Sequence, residues 1–435
     1  MPNPKVVINV IRASVPGMLI ALFVFSVLIR LVYMLFLGDS DIVSDSDAYY
    51  YLRNAKALCA GESFKNDTHL YAYQPPAYFY FLSVFFWLFG DNLDLVRCVQ
   101  LLIGSFIPVL VFLISRGFGW PKAGFISAAV VAVYPTMVHY SVSIYSETLF
   151  VFLLFTSLLL IQQSYLKSSL MLKLAGGLSL GLAVLTRDAA MLVAIGSIAW
   201  FLILYRDFKK AVMNWLVILF AVLVVIFPWT VRNYKIFKTV VPVSTNGGIN
   251  LYIGNNPEAN GTFQWRLPSG VKWNCSPPSG YPKGYYEYQA NFTGTKQAVK
   301  YIKAHPLKFV QLTIKRTWLF FGPPLNNLSF KSPPIQAIRN YANFGFYSVL
   351  FIGSFVVAPF RFRKHRRELL LVLSTILMLS IPYLITFFAE RYRLPIIPVM
   401  AIISGITLRS FLDLRALQFR FPRFTKTYPG LKEGT

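Results

Sequence analysis

Apolar residues along this chain gather into long runs separated by short polar stretches, instead of alternating with polar ones. A helix that crosses a bilayer needs about 20 mostly apolar residues. Runs of that kind lie near 15–37, 95–115, 122–138, 147–164, 173–186, 188–205, 214–230, 342–360, 368–388 and 394–411. They predict an all-α polytopic membrane protein with about ten transmembrane helices, of which 173–186 is the shortest. A further run, 77–90, has about 14 residues and suits an interfacial or re-entrant helix better than a span. The first run is long enough to cross and lacks a small-residue cleavage site after it, so it reads as an anchor.

The polar stretches orient these helices. With 77–90 left out of the span count, residues 116–121, 165–172, 206–213, 361–367 and both termini fall on one side. Those stretches hold a large share of the Lys and Arg, most densely at Arg361-Phe362-Arg363-Lys364-His365-Arg366-Arg367. By the positive-inside bias that side is cytoplasmic, and the expected location is the plasma (inner) membrane with both termini inside. The opposite face then carries residues 38–94, residues 231–341 and a short turn around Glu390. In 231–341, Asn246-Gly247-Gly248, Asn255-Asn256-Pro257 and Pro277-Pro278-Ser279-Gly280 are turn signals. A helix is predicted from Tyr285 to Lys303, broken at His305-Pro306, and an amphipathic helix resumes to Phe321. Three parts follow: a transmembrane module 1–230, an extracytoplasmic loop region 231–341, and C-terminal helices with a basic tail, 342–435.

Composition narrows the choice. Hydrophobic residues make up 56 % and charged residues 14 % of the 435. Soluble domains carry about 25 % charged residues, so soluble domains, disorder, collagen, coiled coil and a disulfide scaffold are excluded. The net charge of +25 would suggest nucleic acid on a soluble protein. Here it sits in short cytoplasmic loops, and no nucleic-acid partner is expected. Cys59, Cys98 and Cys275 have no metal-site spacing. Cys59 and Cys275 fall on the outer side, where a disulfide between them is an open alternative.

Candidate chemistry concentrates on the outer side. Asp47, Tyr51, Ala55 and Leu58 recur at helical spacing and share one face of a short helix. Asp45 and Asp47 could do no more than complement the dipole at its start; alternatively one is a general base at the membrane surface. Glu147, in Tyr145-Ser146-Glu147-Thr148, lies at the mouth of a span, where an acid is costly. Arg187 and Asp188 either form a local ion pair or leave Arg187 facing an anionic ligand. Glu390-Arg391-Tyr392-Arg393-Leu394-Pro395 closes the ninth span, and its arginines are either interfacial anchors or phosphate ligands. Three acidic sites and three arginines on one membrane face suit a sugar-phosphate lipid with its head group at that depth.

The spacing Asp47…Tyr51…Ala55…Leu58…Gly61 resembles the first-loop signature of the GT-C polyprenyl-phosphate-sugar glycosyltransferases, in the branch of protein O-mannosyltransferases and lipid A aminoarabinose transferases. Similar segments run along nearly the whole chain: Tyr73-Gln74-Pro75-Pro76-Ala77-Tyr78, Ser146-Glu147-Thr148-Leu149-Phe150, Gly181-Leu182-Ala183-Val184-Leu185-Thr186-Arg187, Asn250-Leu251-Tyr252-Ile253-Gly254-Asn255-Asn256-Pro257, and the Glu390–Pro395 segment. Each is weak alone, but their order and side agree. The chain departs from the pattern at Gln74, where aminoarabinose transferases carry a basic residue, and at Asp188, where relatives often have Pro.

The resemblance implies a GT-C bundle with outer-face juxtamembrane helices. It implies Asp47 as the catalytic base or its close partner, Asp45 in reserve, and Glu147 lining the acceptor side. Arg187, Arg391 and Arg393 would hold the lipid phosphate, with Tyr51, Gln74, Glu390 and Asn255 as further substrate contacts. The expected reaction is inverting and needs no metal or cofactor. A polyprenyl-phosphate sugar, such as an undecaprenyl-phosphate sugar, would be the donor. The acceptor would be a lipid, glycan or protein. The region 231–341 would recognise the acceptor and act as a lid. A transporter or flippase of lipid-linked sugars predicts acids near the bilayer midplane, whereas here they cluster at the outer mouths. A non-catalytic scaffold gives no reason for carboxylates and arginines to converge.

Overall fold

The computed structural model describes residues 4–37, 47–61, 70–205, 207–272, 279–324, 334–357 and 366–418. Asp45 and Cys275 lie outside them, so neither Asp45's place nor a Cys59–Cys275 pair is described. The chain is a multi-pass membrane protein, and among the described residues it forms helices and no strand. The N-terminal module runs α1 (Pro4–Leu37), α2 (Asp47–Cys59), α3 (Ala77–Phe89), α4 (Leu93–Gly117), α5 (Pro121–Val133), α6 (Pro135–Val142), α7 (Glu147–Lys167), α8 (Leu170–Thr186), α9 (Ala190–Gly196), α10 (Ile198–Leu204) and α11 (Phe208–Phe237). The loop region contributes α12 (Gly247–Gly254), α13 (Tyr285–Ala304) and α14 (Pro306–Phe321). Last come α15 (Pro334–Phe351) with a π-helical stretch Ile352–Val357, α16 (Arg366–Ile385), a 3-10 turn Glu390–Ile396 and α17 (Ile397–Gln418).

The described residues of each predicted apolar run fall mostly on helix, but the helices are less uniform than the runs. Among the described residues five are long and apolar enough to cross, or six if α5 and α6 count as one span bent by 56°. The bend is at Pro135, which brings no N–H to continue α5. Arg30, fully buried in α1, donates to the carbonyl of Ala132 at that break (3.0 Å) and to Ser26. The run 188–205 is not one rod: Ser197 separates α9 from α10, each of 7 residues. Helix α3, at 13 residues, is about 20 Å long, too short for a hydrocarbon core of about 30 Å. It buries Tyr78, Phe79, Leu82 and Phe86 against the protein and leaves Tyr80, Trp87 and Phe89 exposed. Its length is the one the sequence predicts.

Burial sorts centre from rim. The apolar window of the segment Glu390–Arg409 is 72 % buried, against 17 % for α1. The 3-10 turn and the start of α17 therefore lie inside the bundle, and α1 presents Ile20, Leu28 and Leu35 outward. Helix α8 nests between α7 and α11 through small residues, because close backbone approach is what packs helices where lipid is as apolar as the side chains. A Cβ at Gly176 would sit 2.9 Å from Ile161 Cγ1, and one at Gly177 would sit 2.6 Å from Ala221 Cβ and 2.8 Å from the Ile218 carbonyl.

The described residues of 231–341 include helices packed into the molecule. The two helices and the break at His305-Pro306 stand within a residue of where the sequence puts them. Arg316 of α14, fully buried, donates to the carbonyls of Gly254, Leu384 (3.3 Å) and Ile385 (3.2 Å). Asn255 donates to Leu251 (2.9 Å) and Ile385 (2.8 Å). These bonds tie α12 and α14 to the segment that leads into the 3-10 turn. Substituting Gly177→Leu should drive α8 away from α11 and cost about 1–3 kcal/mol, seen as a lower thermal midpoint of the detergent-solubilised protein, while Gly345→Ala, with open space around it, leaves the packing intact.

Candidate active site

Asp47 is the first residue of α2, where the helix's positive end faces it. Along that helix Tyr51 and Ala55 are buried on the face that Asp47 begins, as their spacing predicts. Gln74, in the loop before α3, donates from Nε2 to Asp47 Oδ1 (3.0 Å). Glu147 opens α7 and is 2 % exposed. Arg187 follows the last residue of α8 and donates from Nη1 to Glu147 Oε1 (2.6 Å). It therefore pairs with a carboxylate forty residues away and not with its neighbour Asp188, which accepts from Ser244 Oγ (2.7 Å).

Arg391, in the 3-10 turn, links the two carboxylates. Its Nη1 forms an ion pair with Asp47 Oδ2, and its Nε lies 3.6 Å from Glu147 Oε1. The charges thus alternate Asp47, Arg391, Glu147, Arg187. Charges taken out of water are costly unless each is paired and hydrogen-bonded, and this alternation pairs all four. The ring of Tyr392 lies under both guanidinium groups, 5.3 Å from Arg187 Cζ and 5.6 Å from Arg391 Cζ. Tyr383 stacks on Tyr392 at 4.2 Å. Aromatic faces attract cations, so the ring helps hold two like charges close. Tyr51 Oη shares a hydrogen bond with Ser146 Oγ (3.1 Å). Burial, and then the charges of Asp47 and Glu147, push the Tyr51 hydroxyl well above its ordinary value, so it stays neutral.

Above these groups is a cavity of about 880 Å³, near the top of the roughly 300–1,000 Å³ range of small-molecule pockets. Asp47, Tyr51, Gln74, Arg187 and Arg391 line it. Four expected contacts do not. Glu147, expected on the acceptor side, is buried behind Arg187 and Arg391, with which it pairs, and does not line the cavity. Arg393 is turned inward: it donates to the carbonyls of Leu319 and Gly322 (2.7 Å for the latter) between the rings of Tyr347 and Phe388. With three residues per 3-10 turn, positions two apart point to different sides, so Arg391 and Arg393 cannot both face the cavity. Glu390 accepts from Asn343 Nδ2 (2.5 Å), and Asn255 makes the backbone bonds given above. Residues that the sequence reading missed include Tyr392, whose only signal is its place between the two arginines, and Asn246, Phe263 and Trp265 on the cavity wall. Among the described residues no three His, Cys, Asp or Glu side chains come together as a metal site.

The helical bundle can be set beside solved structures. An oligosaccharyltransferase from Archaeoglobus fulgidus, in its apo form, aligns with 92 % of this chain at 14 % identity and a TM-score of 0.56. The structure of the same organism's AglB in complex with an inhibitory peptide and a dolichol-phosphate aligns with 94 % at the same identity and score. The fold is GT-C. The chain spans about half the length of those relatives, 52 % in each case. ArnT from Cupriavidus metallidurans, bound to undecaprenyl phosphate, aligns over 93 % of this chain and 81 % of its own at 14 % identity, with a TM-score of 0.38. Residues 73–231 match the family model of dolichyl-phosphate-mannose-protein mannosyltransferases. That stretch carries Gln74, Glu147 and Arg187, while Asp47 and Arg391 lie on either side of it. Among curated proteins none matches.

Within this fold one buried acid braces the site without lining it. Glu287 of α13 is 3 % exposed. Its carboxylate accepts from the backbone N–H of Tyr71 (2.5 Å) and Ala72 (2.9 Å) and from Thr245 Oγ1 (2.5 Å). Thr245 N donates in turn to the Ala72 carbonyl (2.9 Å) and Arg232 to that of Tyr71 (2.7 Å). The loop that presents Gln74 to Asp47 is thereby bolted to α13. Burial pushes the Glu287 carboxyl from its ordinary 4.5 up to about 7, against the pull of its three donors. The folded protein then binds this proton more tightly than the unfolded chain. The resulting stability is fully present below pH 4.5 and is lost as pH rises through about 7. The stability advantage of wild type over Glu287→Gln, read as thermal midpoint, should therefore shrink between pH 5 and pH 8. An advantage that grows over that range would mean that the fold favours the carboxylate.

Proposed function

We propose that this protein is a glycosyltransferase that moves one sugar from a polyprenyl-phosphate carrier to an acceptor hydroxyl at the extracytoplasmic face of the membrane. The observation that carries the reading is the alternation of Asp47, Arg391, Glu147 and Arg187, of which Asp47, Arg391 and Arg187 line one large cavity and Glu147 is buried behind the two arginines. The archaeal relative solved in complex with a dolichol-phosphate supports a lipid-phosphate donor here. The charged groups stand at one end of the helices, beside α2 and α12, which favours chemistry at an interface over passage through the midplane.

In this reading the acceptor oxygen attacks the anomeric carbon and its proton passes to Asp47. The bond from that carbon to the phosphate oxygen breaks, and its electron pair leaves on polyprenyl phosphate. Attack opposite the leaving group inverts the anomeric centre. Arg187 and Arg391 face the oxygen where negative charge builds. A guanidinium has a donor fork that fits phosphate, and a donor phosphate entering the cavity would compete with Asp47 for Arg391. That exchange frees the Asp47 carboxylate as the phosphate is gripped, so base and leaving-group stabiliser become available together. Gln74 holds Asp47 from its other oxygen and keeps it aimed. Arg391 also takes the position between carboxylates that a divalent cation would fill, which supports a reaction without metal.

Asp47→Asn should reduce sugar transfer by about 10²–10⁴-fold, assayed with radiolabelled polyprenyl-phosphate sugars and purified protein in nanodiscs, with folding and membrane insertion unchanged. Retained transfer would move the base to another carboxylate. EDTA treatment should leave the wild-type rate unaltered, and a loss restored by a divalent cation would refute the metal-free mechanism.

A further inference from the structure

The carboxylates and arginines account for one part of the cavity; a second part of its wall has different chemistry. Phe263 and Trp265 both line it, yet are 50 % and 51 % exposed. They stand two residues apart, as side chains on one side of an extended chain do. Asn246 and Asn250 line it as well, four residues apart at the start of α12, where that spacing puts two side chains on one helix face.

The aromatic segment is held in place. Asn260 Oδ1 accepts from Thr262 N (2.9 Å) and Thr262 Oγ1 (2.8 Å), and Gly261, at φ +93°, makes the turn that a residue with a Cβ would adopt only with strain. Thr262 then forms an isolated parallel bridge with Phe388, whose N–H donates to the Gly261 carbonyl (3.0 Å). Phe263 packs on Phe387 with ring centroids 5.1 Å apart, and Phe387 is part of the same wall. Arg266 pairs with Glu258 and closes the strap. The bridge fastens this strap to the segment that three residues later presents Arg391.

We propose that this strap and α12 together form a carbohydrate subsite, which binds the glycan that accepts the transferred sugar. The word acceptor rests on the transferase reading given above; the carbohydrate assignment rests on the wall itself. A sugar ring has an apolar C–H face and a rim of hydroxyls. Aromatic faces bury the first, and side-chain amides, which both donate and accept, meet the second. None of the four side chains is charged, so they do not themselves suit a phosphate; the arginines that do suit one belong to the charged cluster of the same cavity. Phe263 and Trp265 reach the cavity without moving, and a rigid two-torsion side chain loses little entropy on binding.

The test is binding of neutral oligosaccharides, released from the host's own surface glycans, to the full chain in nanodiscs without any donor. Saturation-transfer NMR should show ring C–H protons of the sugar in contact with wild-type protein. Trp265→Ala should weaken that binding by about ten-fold or more, and Trp265→Phe should recover most of it. Phe292→Ala, which removes an aromatic ring that is 53 % exposed on α13 and not on the cavity wall, serves as the control for non-specific stacking. Equal binding by wild type and Trp265→Ala would overturn the proposal. So would saturable binding of Ser/Thr-containing peptides with none of any oligosaccharide. Donor turnover is read in a separate reaction with polyprenyl-phosphate sugars: absent oligosaccharide binding alongside measurable turnover there refutes the subsite alone, and binding without any turnover there leaves a glycan-binding site and counts against the transferase reading.

Discussion

The arrangement of this protein's cavity depends on one guanidinium. Arg391 reaches Asp47 at the start of α2 and Glu147 at the start of α7, and it does so from a 3-10 turn inside the bundle. A charge at that depth needs partners, because an unpaired one would cost several kcal/mol. The pairing therefore constrains three segments that are distant along the chain to meet at one place. Arg187 completes the set through Glu147, and Tyr392 stacks beneath both cations. The same feature that stabilises the empty site makes it responsive: a ligand phosphate offers Arg391 a second anion, and whatever Arg391 releases becomes available for chemistry.

Around that cluster the fold supplies rigidity from unexpected directions. Glu287 and Arg316 lie in the region that the sequence suggests as a lid, yet both are buried and hydrogen-bonded to backbone outside their own helices. Glu287 secures the loop bearing Gln74, and Arg316 secures the approach to the 3-10 turn. The opposed sides of the charged cluster are thus both held from α13 and α14. Nearly all of the apolar helices serve as a frame for this end of the molecule, and the close packing of α8 on α7 and α11 places Arg187 where Glu147 can meet it.

Much of this was legible in the sequence where the cause is local. Apolar runs marked the helices, His305-Pro306 marked the break between α13 and α14, and the run 77–90 marked α3 as too short to span. Asp47 and Tyr51 stand on one helix face as their spacing requires. What was not legible depends on contacts between distant residues or on turn geometry. Nothing within Arg391-Tyr392-Arg393 tells that the chain there winds as a 3-10 turn, and that winding is what sends Arg393 into the interior. Nothing next to Arg187 tells that it passes over Asp188 for Glu147. The break at Ser197 carries no proline, and its run looked continuous for that reason.

The most direct measurement is equilibrium binding of undecaprenyl phosphate to wild type, Arg391→Ala and Asp47→Ala in nanodiscs. If Arg391 is shared between Asp47 and the donor phosphate, Arg391→Ala loses binding by about 10–100-fold, and Asp47→Ala binds more tightly than wild type because its arginine is released. Binding unchanged by Arg391→Ala, or weakened by Asp47→Ala, would contradict that exchange and with it the mechanism drawn from this site.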